Sequence, residues 1–409
     1  MPLVGNITPP APSRSIDWVL FLALLPIIAA GLITMYSFDQ GVPPCGAGIV
    51  EVSLVEGEVC PTETASGNPF FTKQLVWLLI SFAAFFAGSF VDWRFLRRSD
   101  VLFSLFLFGC GLLLVLFFFG TTRGIHGWLD FGALSIQPAE PVKLILILIL
   151  AKYFSRRHIE IAHMKHILIS GCYAGILFFL VLLQPDFGGA LVIASVWFGM
   201  VLLSGISKRH LLGVLLVAAL SGLFLWTYIF KDYQKQRLVT FLHPLTDIRG
   251  SGYNAYQSMI AVGSGELLGK GVGYGTQSRL QFLPEYETDF IFAAFAEEWG
   301  FVGVLILFLC YAVVMWRILL HAMHGLSNFE ILYGLGFAIL IAAQVLIHVG
   351  MNVGLLPVTG ITLPFVSYGG TSLFTLFAGL GILMGQRAYR RTTHKEVMQN
   401  EFVGVSSNS

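Results

Sequence analysis

Ten apolar blocks, each close to the length of a membrane-crossing helix, run through the 409 residues of this chain. A hydrocarbon core takes about 20 residues of helix to cross. It offers no water to stray backbone polar groups, so a spanning segment must satisfy its own. The fold class is therefore an all-α polytopic membrane protein. We place the spans at 18–36, 75–91, 101–120, 141–154, 167–183, 187–204, 211–230, 290–316, 331–350 and 367–386. The fourth is short and begins inside the loop before it. With 56% hydrophobic and 11% charged residues, a soluble multidomain protein is excluded. Arg14 precedes the first run and no small-x-small cleavage site follows it, so that run reads as an uncleaved anchor.

The bases orient the chain. With the N-terminus inside, the inner segments hold 15 of the 24 Lys and Arg, from Arg14 through Arg94, Arg97 and Arg98 to Arg387, Arg390, Arg391 and Lys395. The loop 37–72 carries Asp39, Glu51, Glu56, Glu58 and Glu63 and no base, which puts it outside. The expected organisation is a cytoplasmic segment (1–17), one transmembrane domain of ten helices (18–386) and a cytoplasmic tail (387–409). The long loop 231–289 departs from the pattern. It lies on the outer side yet holds Lys231, Lys235, Arg237, Arg249, Lys270 and Arg279. Those bases suit an anionic ligand at the outer surface. The six acids of the same loop equally allow a solvated loop of balanced charge.

Cys45 and Cys60 share the first outer loop, where disulfides persist. A bridge between them closes a loop of 15 residues and is worth about 3 kcal/mol by loop-closure entropy. We read it as a local staple with no catalytic role. Cys110, Cys172 and Cys310 fall within spans and read as packing residues. No heptad run, metal-spaced Cys/His cluster or nucleotide-binding glycine motif is present.

Ionisable residues at membrane depth are costly and point to function. Four segments carry them or break the helices around them. In Gln137-Pro138-Ala139-Glu140-Pro141-Val142-Lys143, Glu140 and Lys143 are three apart and share a helix face. They can steer a polar head group or simply fix helix packing. In Gln184-Pro185-Asp186-Phe187-Gly188-Gly189, Asp186 either serves the site or caps the sixth span. In Leu283-Pro284-Glu285-Tyr286-Glu287-Thr288-Asp289-Phe290, Asp289 is the last polar group before an apolar run. Desolvation at that boundary raises a carboxyl pKa toward the range of a general base. The same aspartate would also make a helix cap, with Glu285 and Glu287 in solvent. The fourth segment, Gly354 to Gly370, alternates apolar residues with helix breakers. Irregular backbone at membrane depth survives where it lines protein or a wet cavity.

In this order, from Ile16 to about Arg391, these segments resemble the shape, elongation, division and sporulation family of membrane proteins. Asp232-Tyr233-Gln234-Lys235-Gln236-Arg237 and Gly275-Thr276-Gln277-Ser278-Arg279-Leu280 place the chain nearer the elongation (RodA-like) branch than the division (FtsW-like) branch. The resemblance implies a peptidoglycan glycosyltransferase of the bacterial inner membrane that polymerises lipid II and releases undecaprenyl diphosphate. It also implies a class B penicillin-binding protein and other elongation-complex membrane proteins as partners, with no nucleic acid. Carried over by motif, Asp289 is the catalytic base, and Glu140, Lys143, Asp186, Gln257, Ser258 and Ser367 shape the substrate site. Arg237, Lys270 and Lys143 are the bases expected at the leaving diphosphate, because departing negative charge needs positive charge. The resemblance fixes no cofactor. Mg²⁺ or Mn²⁺ suits the carboxylates and diphosphate oxygens. The chain departs from the pattern at Gly127, where relatives usually carry Arg, at Glu287 in place of His, and at His348 in place of Asn. A lipid II flippase and a non-catalytic scaffold for the penicillin-binding protein are the competing readings.

Overall fold

The structure, a computed structural model, describes residues 17–38, 69–118, 127–130, 135–155, 164–230, 232–242, 252–280, 282–283, 285–325 and 327–386. The expected Cys45–Cys60 bridge and both terminal tails lie outside them. The helices are α1 (Trp18–Ser37), α2 (Pro69–Phe90), α3 (Ser99–Val115), α4 (Ala139–Ser155), α5 (Met164–Leu183), α6 (Phe187–Leu203) and α7 (Lys208–Phe224). They continue with α8 (Asp232–Leu242), α9 (Tyr253–Ser264), α10 (Thr276–Arg279), α11 (Ile291–Met323), α12 (Asn328–Asn352) and α13 (Gly370–Gln386). Each of the ten predicted spans overlaps one of these helices. Seven of them, α1, α2, α3, α5, α7, α11 and α12, are long and apolar enough to cross a membrane. At the mouth of α4, two residues at Leu129–Asp130 pair antiparallel with Ser135–Ile136. The stretch 231–289, expected as a loop, holds α8, α9 and α10.

Burial follows the apolar pattern. α4 is apolar all round from Leu144 to Leu150 and is buried along nearly its whole length, packed on α3, α5, α6 and α12. A helix with no polar face belongs in a core or in lipid, and this one takes the core. α7 takes the other course. Val214 is its one buried residue, and Leu212, Leu216, Val217 and Leu220 face outward. Capping residues fix the ends. Asp17 accepts from Val19 and Leu20 N–H (3.1 and 3.2 Å), and Asp186 from Gly189 N–H (2.7 Å).

α11 runs 33 residues, about 50 Å at 1.5 Å per residue, well beyond a hydrocarbon core of about 30 Å. It is broken at Gly300, whose φ of 65° and ψ of −170° are non-helical. The turn after α9 enters that break. Lys270 and Gly271 N–H donate to the Glu297 and Glu298 carbonyls (both 3.0 Å). Phe301 and Val302 N–H donate to the Glu266 and Leu267 carbonyls (2.9 and 3.1 Å). Averaged hydropathy reads straight through Gly300, because the long apolar stretches on either side outweigh Glu297 and Glu298 just before it.

At the opposite end of α11, Asp17 ties α1 to it. Its Oδ2 accepts from Arg317 Nε (3.0 Å) and Nη2 (2.5 Å) and bonds His321 Nε2. Burial pushes the Asp17 carboxyl up, but bonds from Arg317, Leu20 and His321 outweigh it and hold it below its ordinary value. A carboxyl depressed in the folded state stabilises above its unfolded pKa, and that stability is lost as pH falls through the folded pKa. Asp17→Asn keeps the cap and removes the charge. It is expected to cost about 3 kcal/mol at pH 7, as for one partner of a buried pair. The gap in apparent Tm between wild type and variant should close below about pH 4, near the unfolded pKa. A gap that stays constant from pH 7 to pH 3 would remove the charge from the explanation.

Candidate active site

The irregular segment 353–369 is the hub that gathers the sequence-predicted residues. It has no regular structure because Pro357 and Pro364 lack amide donors and because its polar groups are taken by other elements. Ser367 Oγ accepts from Leu363 N–H (2.7 Å) and donates to the Thr288 carbonyl (2.8 Å). Tyr368 N–H donates to the Glu287 carbonyl (2.8 Å). Gln74 on α2 donates to the Ser367 carbonyl (3.2 Å) and accepts from Gly369 N–H (3.4 Å). Tyr311 OH on α11 donates to the Pro364 carbonyl. The turn 285–290 is thereby fixed from one side.

Asn352, the last residue of α12, fixes it from the other. Its Nδ2 donates to the carbonyls of Asp289 (3.0 Å) and His348 (2.8 Å). Ser258 on α9 donates to the Asn352 carbonyl (2.9 Å) and Oδ1 (3.2 Å). Asp289 N–H bonds the Glu285 carbonyl (3.0 Å). The Asp289 backbone is thus held at both ends while its half-buried carboxylate lies beside Gly360. A Cβ built on Gly360 would stand 3.4 Å from Asp289 Oδ2. Gly360 has φ +74°, a left-handed conformation that glycine adopts without strain.

One residue earlier the same segment reaches α6. A Cβ on Gly188 would come 2.5 Å from the Thr359 carbonyl oxygen, so the chain passes directly over the start of that helix. Asp186 sits there, with Gln137 Nε2 at 3.4 Å from its Oδ2. Desolvation pushes the Asp186 carboxyl up, the Gly189 amide and the Lys143 charge pull it down, and Glu140 raises it again. Lys143 Nζ lies 2.6 Å from Glu140 Oε1, both side chains buried. Thr371 at the start of α13 closes the ring by accepting from Gln137 N–H (3.1 Å). Asp289, Asp186, Glu140 and Lys143 therefore line one neighbourhood, joined through Thr359 and Gly360. In chemical terms it offers a carboxylate held by its backbone, a desolvated second carboxylate and an internally neutralised ion pair.

The other predicted residues fall differently. Ser258 and Ser367 are buried and bond backbone that sets Asp289. Gln257 stands next to Ser258 on α9, and its Oε1 is buried without a hydrogen bond. Lys270 is drawn to α11, where its Nζ bonds Glu297 Oε1 (2.7 Å) and Thr276 Oγ1 (2.9 Å). Glu297 is fully buried and also accepts from the amides of Thr276 (2.8 Å) and Gln277 (3.1 Å). Arg237 lies on α8, and its side chain is outside the described residues. Glu287, read from sequence as a solvent candidate, is buried. Burial and then the Glu287 charge push the Tyr286 phenol up. Sequence reasoning missed Gln74, Asn352 and Thr371. Each is a polar residue at or near the end of an apolar helix, a weak signal that becomes specific through its partners. Among the described residues no group of three or more His, Cys, Asp or Glu could hold a metal ion.

The Glu140–Lys143 pair carries a prediction. Lys143→Ala strands a buried carboxylate and should cost about 3–5 kcal/mol. The double change Glu140→Gln with Lys143→Met removes both charges and should regain most of that stability. If the pair serves the substrate, activity stays lost in the stable double variant. Thermal melts read beside turnover separate the two roles, and a double variant with wild-type turnover would make the pair purely a packing device.

Comparison with known proteins adds independent weight. A family model described as cell cycle protein, of the FtsW, RodA and SpoVE type, matches residues 48–392. The Escherichia coli K12 peptidoglycan glycosyltransferase MrdB is 40% identical over 291 residues, covering 70% of this chain and 78% of MrdB. Stage V sporulation protein E of Bacillus subtilis is 36% identical over 327 residues, covering 79% of this chain and 88% of that protein. Among solved structures, one chain comes from a peptidoglycan synthase complex in which polymerization and crosslinking are coordinated. It is similar with a TM-score of 0.71 and 29% identity, over 91% of this chain and 97% of that one. The rod shape determining protein RodA of Thermus thermophilus is similar with a TM-score of 0.63 and 29% identity, over 91% of this chain and 96% of that one.

Proposed function

The chain belongs to the FtsW, RodA and SpoVE family of cell cycle proteins, and on that premise we propose that it polymerises lipid II into peptidoglycan glycan strands during cell elongation. One observation carries the reading at the level of residues. Thr359 and Gly360 pass between Asp289 and the α6 terminus that holds Asp186, and so gather widely separated carboxylates at one place. The acceptor sugar hydroxyl gives its proton to Asp289 and its oxygen bonds the donor's anomeric carbon. The bond from that carbon to the diphosphate oxygen breaks, and undecaprenyl diphosphate leaves with the electron pair. A positioned base contributes about 10²–10⁴ in rate.

The leaving diphosphate needs countercharge. Lys270 also neutralises Glu297, and Lys143 also neutralises Glu140, so either would serve the diphosphate beside an acid of the chain, and Arg237 is the third expected base. Mg²⁺ characteristically binds one or two carboxylates plus substrate phosphates. Asp289 and Asp186 are the carboxylates suited to that, and a bound cation would neutralise the diphosphate. The chain spans the membrane several times, and the distribution of bases supports ten spans with both termini cytoplasmic. A class B penicillin-binding protein is the partner that fits, since the similar solved chain comes from a complex that couples polymerization to crosslinking.

Purified protein, with and without that partner, on labelled lipid II should yield polymer that a muramidase degrades. A translocase would move lipid II across a vesicle bilayer and make no polymer. A scaffold would do neither.

A further inference from the structure

A half-open cavity of about 210 Å³ lies between α3, α4 and α5, away from the site described above. Its walls change character along the helix axes. Ser99 stands in the first turn of α3, and Lys152 and Tyr153 in the last turn of α4, so the polar groups share one end. Deeper in, the walls are Leu102, Phe106 and Ile149. The Tyr173 ring closes the inner side, edge-on to Phe106 at 5.4 Å. Phe103 lines the lateral opening and is 54% exposed on the outside of the bundle.

A cation and hydroxyls at the end of membrane helices, with hydrocarbon walls further in, match an amphiphile entering sideways from the bilayer. The space exceeds the ~150 Å³ that accommodates a benzene ring, so it takes part of an acyl chain. The polar end is also the basic end. Arg98 precedes Ser99 and is exposed, although it pairs with the exposed Asp100 at 3.4 Å. Lys165 is exposed at the start of α5, and Arg156 and Arg157 follow Lys152 in the chain. Basic pockets between membrane helices on the cytoplasmic side favour anionic head groups, by about fivefold for each base near the surface. Lys152 carries three donors on its ammonium, enough to serve a phosphate beside its other contacts.

We infer that this cavity binds an anionic phospholipid of the adjoining leaflet, with its phosphate at Lys152 and an acyl chain along Leu102 and Phe106. The inference stands apart from the catalytic reading and fails or holds independently of it.

Native mass spectrometry of the full chain in detergent, titrated with phosphatidylglycerol or phosphatidylcholine of the same acyl chains, tests it. Wild type should retain phosphatidylglycerol about fivefold over phosphatidylcholine at equal concentration. Lys152→Ala should abolish that preference and Lys152→Arg should keep it. Ser99→Phe, which fills the polar end without changing charge, should also abolish it and carries the test if Lys152→Ala does not fold. Lys208→Ala removes an exposed base at the start of α7 and should leave the preference intact. Equal retention of the two lipids by wild type would overturn the inference. So would an equal loss in Lys208→Ala, or an unchanged preference in folded Lys152→Ala or Ser99→Phe.

Discussion

Asp289→Asn is expected to lower lipid II polymerisation by a factor of about 10²–10⁴, the usual contribution of a positioned base, while the protein stays folded. The structure says why those two outcomes should separate. What holds this residue in place is its backbone: the carbonyl accepts from Asn352 (3.0 Å) and the amide donates to the Glu285 carbonyl (3.0 Å). Neither bond involves the carboxylate. Asn has the same shape, so the contact with Gly360 is preserved while the charge and the capacity to accept a proton are lost. Yield, apparent Tm and co-purification with a penicillin-binding partner should therefore match wild type. The variant also discriminates between functions. An enzyme loses polymer and keeps its partner, a scaffold loses nothing, and a translocase shows no polymer even as wild type. Near-normal polymerisation by folded Asp289→Asn would sink the assignment and move attention to Asp186 or Glu140.

Gly300→Ala should have the largest effect on folding. The glycine adopts φ 65° and ψ −170°, a region essentially closed to other residues and costing about 1–3 kcal/mol when forced. A Cβ there would lie 2.2 Å from Gly269 N and 2.6 Å from the Leu268 carbonyl carbon. Both contacts are backbone, so no side chain can turn away to relieve them. The turn would have to withdraw, breaking the bonds from Lys270, Gly271, Phe301 and Val302, each worth about 1 kcal/mol. The sum approaches the ~5–15 kcal/mol that holds a typical domain. Little monodisperse protein should survive extraction into detergent. Gly222→Ala on α7, where a Cβ meets nothing within 4 Å, should behave as wild type. Wild-type yield and apparent Tm for Gly300→Ala would show that the break in α11 is not held by this packing.

If the turn does withdraw, Lys270 leaves Glu297, and the buried carboxylate loses its cation together with the Thr276 and Gln277 amides. The loop that carries Ser258 and Gln257 on α9 is thus coupled to the helix that carries Asp289. Lys270 reads from sequence as a ligand-binding base. Its place against a fully buried acid makes it a structural tie between those two elements, and an effect of Lys270→Ala on turnover must be weighed against stability.

The membrane class, the presence of a helix at each predicted span to within several residues, and the segments expected to bear chemistry were legible in the sequence. These depend on local properties: run length, apolar composition and the cost of a charge or a proline at depth. Thus 141–154 reads as a short apolar span, and segment 354–370 reads as irregular backbone that must line something. Tertiary structure alone decided which of those segments meet. Nothing in the spacing of Asp186, Asp289 and Gly360 tells that Thr359 crosses the start of α6 while Gly360 abuts Asp289. The i,i+3 spacing pairs Lys143 with Glu140, but no local pattern assigns Lys270 to Glu297 or makes Asn352 the anchor of the 285–290 turn. Hydropathy sees how deep a residue lies and not which neighbour it faces. The break at Gly300 escaped for the same reason: Glu297 and Glu298 mark a polar point in a long apolar segment, but only the turn packed against them reveals the conformation of the glycine that follows.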